Sequence, residues 1–250
     1  MRKIWIVTLG LLLAVPSWGS DMPTAAEIVA KIDANMTGSS RRSVSTMTVI
    51  NARGRERAYQ METWGRGEED SAVVYLAPAR DKGTKMLKIA DELWIYLPSL
   101  EREQKISGHM LRQGMMGSDL SYEDMMESRE LLAAYDSTVT GSAEIDGREC
   151  WVVDMVAKKE GVTYPKRTAW IDKTQYIMLK QELFALSGMK LKTWYMKDIQ
   201  QFDGNRYFPK RMVVEDHLRK GSKTTVTIEE LEFDVPLQDE VFSKRWLSRK

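Results

Sequence analysis

One cysteine, Cys150, and two histidines, His109 and His217, are all that the 250 residues offer of the most versatile metal ligands and the commonest acid–base side chain. A lone cysteine excludes an internal disulfide and a cysteine-rich zinc site. His109 has no ligand set near it in the sequence, and His217 alternates with charged residues, so both read as ordinary polar residues. Charge of one sign is lacking too. Basic residues number 37 and acidic ones 36, a formal net charge of +1, so no overall positive field gathers phosphates and no nucleic-acid partner is expected. HExxH, CxxC, GxSxG and Walker-type loops are all missing, and with them the metal, redox, acyl-transfer and nucleotide chemistry those spacings serve. No enzyme activity, cofactor or metal is therefore expected.

What is present is an ordinary folded composition, 43% hydrophobic and 29% charged, with 16 Met, 8 Trp and 9 Tyr against 5 Phe. Met is flexible and fills irregular apolar space, while Trp and Tyr pair an apolar body with a polar atom. Arg2 and Lys3, the apolar run from Ile4 to Val15, and then Pro16, Ser17, Trp18 and Gly19 have the layout of a secretory signal peptide. Cleavage is expected between Gly19 and Ser20, giving a product exported to a bacterial periplasm. Beyond residue 19, no apolar window approaches the ~20 residues of a membrane helix. Residues 20–250 carry no linker or repeat and read as one domain, expected to be monomeric.

Thr24 to Glu27 form a capping box ahead of Ile28, Val29, Ile32 and Met36 at helical spacing, predicting a helix that ends near Gly38. From Val44 the period changes to alternation. Strands are predicted over Val44 to Ile50, Arg57 to Trp64, Ala72 to Leu76, Lys85 to Ile89 and Leu93 to Leu97. Further strands are predicted over Ser137 to Ala143, Glu149 to Ala157, Arg167 to Asp172, Ile177 to Phe184, Lys190 to Ile199, Arg211 to Leu218 and Thr224 to Phe233. Turn signals fall at Asn51 to Gly54, Gly65 to Glu68, Asp146–Gly147, Asp203 to Asn205 and Lys220 to Ser222. The fold class is mainly β with some α: a single strongly curved antiparallel sheet, an open half-barrel, covered by the N-terminal helix and a Met-rich helical lid.

That lid is the stretch between Ile106 and Leu132, where Gly108, Gly114 and Gly117 interrupt regular structure and five of the sixteen methionines fall. Ser121 is expected to cap a short helix with Glu123 and Asp124 in its first turn. Adjacent on a helix, those carboxylates point about a hundred degrees apart and do not make a catalytic pair. An envelope hydrolase would rest only on scattered carboxylates such as these. A movable lid and a loop that plugs the core both fit the segment. The candidate cavity and lid residues are Trp64, Trp94, Tyr96, Met110, Leu111, Met115, Met116, Leu120, Met125, Met126 and Trp194. Alternation does not decide whether the concave side is filled by side chains or open to a ligand. Cys150, beside Trp151, reads as a buried structural thiol.

Three segments, VVYLAPARDKGTKMLKI (73–89), LWIYLPSLEREQKI (93–106) and GMMGSDLSYEDM (114–125), resemble the LolA/LolB superfamily of bacterial lipoprotein carriers, in particular its outer membrane lipoprotein-sorting branch. Ser118 to Asp124 is the most distinctive run. The resemblance implies a half-barrel whose apolar cavity, between sheet and lid, holds the acyl chains of a lipoprotein, a lipid or a hydrophobic small molecule. It also implies an efflux-type inner-membrane transporter and an outer-membrane acceptor as partners. A methylene in water costs about 0.8 kcal/mol, so a long acyl chain must be enclosed to travel. An envelope sensor or scaffold of the same fold, binding a membrane protein without transport, is the alternative.

Overall fold

The computed structural model describes residues 22–36, 40–67, 69–127, 130–202 and 206–249. The signal-peptide expectation, the helix end near Gly38 and the turn at 203–205 lie outside the described residues. Helix α1 (Ala25–Met36) opens on the expected capping box: the Glu27 N–H donates to Thr24 Oγ1 and the Thr24 N–H to Glu27 Oε2. Its apolar stripe, Ile28, Val29 and Ile32, is buried.

Six strands follow: β1 (Ser40–Ile50), β2 (Glu56–Arg66), β3 (Asp70–Ala77), β4 (Lys85–Ile89), β5 (Glu92–Leu97) and β6 (Arg102–Ile106). After the lid, with short helices α2 (Tyr122–Met126) and α3 (Leu131–Ala134), come β7 (Tyr135–Ile145), β8 (Arg148–Ala157), β9 (Lys166–Asp172) and β10 (Met178–Phe184). Three more, β11 (Lys190–Gln201), β12 (Tyr207–Asp216) and β13 (Lys223–Phe233), complete the sheet before α4 (Lys244–Ser248). The twelve strands expected from alternation are all present, and β6 is an addition. Its sequence, REQKI, is charged at most positions and has too little apolar alternation to mark it. β12 starts at Tyr207, earlier than expected, since Pro209 argues against a strand in the sequence but is accommodated within it.

The thirteen strands form one antiparallel sheet in the order β6-β5-β4-β3-β2-β1-β13-β12-β11-β10-β9-β8-β7. Two meanders are thus joined through β1 and β13, and the sheet does not close on itself. Hairpins suit short connections; at Asp146–Gly147 both residues have positive φ, +51° and +76°, as a twisted two-residue turn demands. Register shifts at Val44/Ser45, Gln60/Met61, Val139/Gly141 and Leu183/Phe184 bend the strands, because an extra residue on one side increases local twist. The free edge at β6 is protected by Arg102, Glu103 and Lys105, charges that discourage pairing with another chain.

Elements pack on both faces of the sheet, and on the outer one over β2 to β5. On the inner face, α1 packs against Trp151, Val153, Met155, Ala169 and Ile171 of β8 and β9, while the lid packs against β1 to β6 and β13. On the outer face, Phe242 and Leu247 of the C-terminal segment bury Ala72, Leu87 and Tyr96. Among the described residues, no helix is long and apolar enough to cross a membrane.

Candidate functional site

Between the inner face and the lid lies a cavity of about 400 Å³, within the usual range for small-molecule pockets. Met47, Met61, Val73, Tyr75 and Met86 form its floor on β1 to β4, and Met115, Leu120 and Met125 its lid side. Toward the other ends of β1 to β3 the lining turns polar, with Arg41, Ser43, Thr63 and Ser71. A second space of about 160 Å³ lies beneath α1 and shares Arg167, Gln181, Phe208 and Met212 with the first. The concave side is therefore not a filled core.

The lid is held by two sets of polar contacts, both between Gly117 and Glu127. At one, Asp119 is almost fully buried. Its N–H donates to Thr224 Oγ1 (2.8 Å), whose hydroxyl donates back to Asp119 Oδ2 (2.7 Å), and Ser222 donates to Oδ1. Arg219 donates to the carbonyls of Ser118 and Gly117 and stands 3.8 Å from Asp119. A Cβ on Gly114 would come within 2.2 Å of the Ser118 carbonyl oxygen, so only glycine lets this turn fold back on itself.

At the other, Ser121 caps α2 as expected from the sequence, and the structure adds the reciprocal bond from Asp124 that completes a capping box. Asp124 does more than cap. Lys192 of β11 donates to its Oδ2 at 2.5 Å and the Tyr164 hydroxyl to its Oδ1 at 2.5 Å. Burial, and then the neighbouring Asp124 carboxylate, push the Tyr164 hydroxyl far above its ordinary pKa, keeping it a donor. Arg167 of β9 pairs with Glu127 at 2.8 Å and also donates to the Tyr135 hydroxyl. The run Ser118 to Asp124 is therefore a set of attachment points.

Of the expected site residues, Met115, Leu120, Met125 and Trp194 line the cavity. Met110, Leu111, Met116 and Met126 pack on the same inner cluster without lining the space. Trp64, Trp94 and Tyr96 require correction, since they lie on the outer face with Phe242, Trp246 and Leu247. Alternation explains this: on β5, Leu93 and Ile95 face inward, so Trp94 and Tyr96 face outward. The outer contacts are specific, with Trp64 edge-on to Trp246 at 5.8 Å and Lys244 over Trp94 at 3.5 Å.

Cys150 is fully buried on the outer face, where burial raises its thiol pKa to about 11. The Nε2 of His217 lies 2.7 Å from Thr193 Oγ1. Among the described residues, no group of three or more His, Cys, Asp or Glu is placed to hold a metal. Lys192, Tyr164, Arg167 and Gln181 were not singled out from the sequence, and Asp119 only as part of the Ser118 to Asp124 run. A signal for Lys192 existed, because it is in phase with Trp194 and Met196 on the inward side of β11.

A family model described as "Uncharacterized protein" matches residues 67–249. No curated protein matches. Among solved structures the chain is similar to a DUF1329 family protein from Desulfovibrio piger, at 25% identity and a TM-score of 0.82, covering 89% of this chain and 97% of that one. It is also similar to a putative outer membrane lipoprotein-sorting protein domain from Vibrio parahaemolyticus (23% identity, TM-score 0.78, 90% and 98% covered). A LolA superfamily protein from Nitrosomonas europaea matches at 23% identity and a TM-score of 0.74, with 90% and 99% covered. The fold is that of the LolA-like superfamily, as the segments from Val73 to Met125 imply.

Proposed function

The chain belongs to the family whose model spans residues 67–249, and from that premise we propose that it is a periplasmic carrier that encloses acyl chains or another hydrophobic cargo between sheet and lid. The carrying observation is the cavity itself: an apolar space roofed by Met115, Leu120 and Met125, on a lid attached through a few polar side chains. Methionine side chains can repack around chains of different shape. Breaking the contacts of Asp119 and Asp124 would free the roof without dismantling the sheet. The work is burial, with no bond made or broken, and acyl burial at about 0.8 kcal/mol per methylene supplies the driving force. A lipoprotein-sorting domain and a LolA superfamily protein among the similar folds agree with this reading. Delivery would run from an inner-membrane transporter to an outer-membrane acceptor.

Native mass spectrometry of gently purified protein, together with titration by a fluorescent acyl probe, tests the proposal. Co-purifying lipid or saturable binding is expected, with loss of binding in Met125→Asp, which places a charge in the roof. Absence of both lipid and saturable binding in the wild-type protein would sink the carrier reading.

A further inference from the structure

Resting on the carrier reading, we propose that the β9–β11 wall of the cavity seats an uncharged carbonyl head group, so that the cargo is an acyl amide or ester in preference to a bare hydrocarbon or a fatty-acid anion. The wall holds three buried polar atoms that meet no hydrogen-bond partner among the described residues: Arg167 Nε, Gln181 Oε1 and Trp194 Nε1. All three residues line the cavity, and Arg167 and Gln181 also line the space beneath α1. Strand register brings them together. Gln181 stands directly opposite Trp194 on β11 and opposite Ala169 on β9, two residues from Arg167 on the same face, within reach of long side chains. Arg167 is only 6% exposed.

Buried polar atoms are nearly always satisfied, and one that is not bears its full desolvation penalty. Two of these atoms are donors, the indole N–H and the guanidinium Nε–H, and the third is an amide oxygen. A secondary amide offers a carbonyl to the donors and an N–H to Gln181; an ester offers the carbonyl alone. The neighbouring ionic charges are already matched, Arg167 with Glu127 and Lys192 with Asp124. No unbalanced cation remains among these four groups to favour a carboxylate.

N-Methylhexadecanamide, hexadecanoate and hexadecane, competed separately against a fluorescent alkyl probe on the full chain, test this. The amide is expected to bind about tenfold or more tightly than either of the others, and Trp194→Phe and Gln181→Leu each to pull the amide-to-hydrocarbon ratio toward one. In ¹H–¹⁵N spectra the indole resonance lost in Trp194→Phe is expected to move downfield with the amide and not with hexadecane. Gln181→Leu removes an unpaired oxygen at nearly constant volume, so its thermal midpoint is expected to hold or rise, whereas a clear fall would mean that the amide is satisfied and the seat is not one. Hydrocarbon and amide binding equally, or the carboxylate binding best, overturns the head-group inference while leaving the carrier reading intact. If no probe binds at all, both fall.

Discussion

Asp124 and Lys192, 68 residues apart in sequence, form a buried ion pair of 2.5 Å that ties the lid helix to β11 of the sheet. Their side chains are 5% and 8% exposed. Removing one member of such a pair leaves an uncompensated charge, at a cost of about 3–5 kcal/mol. Asp124 keeps Tyr164 and Ser121 as partners, so Lys192→Met is expected near the lower end, about 3 kcal/mol by denaturant unfolding. Hydrogen exchange should also quicken in the lid amides ahead of those in the sheet, and an unaltered lid would argue against the attachment.

Gly114 and Gly141 make a matched comparison. A Cβ at Gly114 would meet the Ser118 carbonyl at 2.2 Å, whereas nothing lies within 4 Å of one at Gly141. Gly114→Ala is expected to lower the unfolding midpoint and loosen the lid, because backbone must move. Gly141→Ala is expected to stay within about 0.5 kcal/mol of wild type in the same assay.

Burial raises the pKa of Glu123 in α2, against the opposing pull of Arg112. A carboxyl raised in the folded state disfavours its charged form there. The associated penalty is present above the folded pKa and is relieved as pH falls through it toward the unfolded value. Glu123→Gln is therefore expected to melt above wild type at about pH 7 and to converge with it near pH 4. Thermal scans across that range decide; a gap that widens toward acid would contradict the burial account.

The two faces should separate in binding assays. Trp64→Leu and Trp94→Leu act on the outer face and are expected to leave acyl-probe affinity within about twofold, a shift of under 0.5 kcal/mol. Leu247→Ala, at a fully buried site on that face, is expected to cost about 2–5 kcal/mol of stability. Probe titration and denaturant melts of the same three proteins test both halves.

Cys150 is buried with its thiol pKa raised to about 11. Thiolate is the reactive species, so alkylation of the native protein is expected to be slow, with rapid reaction appearing only in denaturant.

Much of the sheet could be read from residue patterns, because alternation and turn chemistry are local. Asp146–Gly147 announces its hairpin, and Thr24 to Glu27 the start of α1. Which side of a strand faces the cavity was not legible for Trp64, Trp94 and Tyr96. Both faces of β2 and β5 carry large apolar residues, since the C-terminal segment covers the outer one. The Ser118 to Asp124 run stood out as text, yet its partners Thr224, Ser222, Arg219, Lys192 and Tyr164 come from distant strands and loops. Pairings at such separation are set by topology, which no local pattern encodes. Gln181 gives no signal in the sequence at all; only its position opposite Trp194 gives it meaning.

The order of the strands has a mechanical corollary. β6 and β7, the outermost strands on opposite sides of the sheet, are consecutive along the chain, so the segment between them crosses from one free margin to the other. It is a strap as much as a cover. Freeing it from Asp119's or Asp124's partners would slacken the covalent link between those margins, leaving the curvature of the half-barrel to the sheet itself, with its bulged strands. On the carrier reading, entry of a bulky guest and relaxation of the trough's girth would be one event, with the guest's thickness gauged by how far the strap must yield.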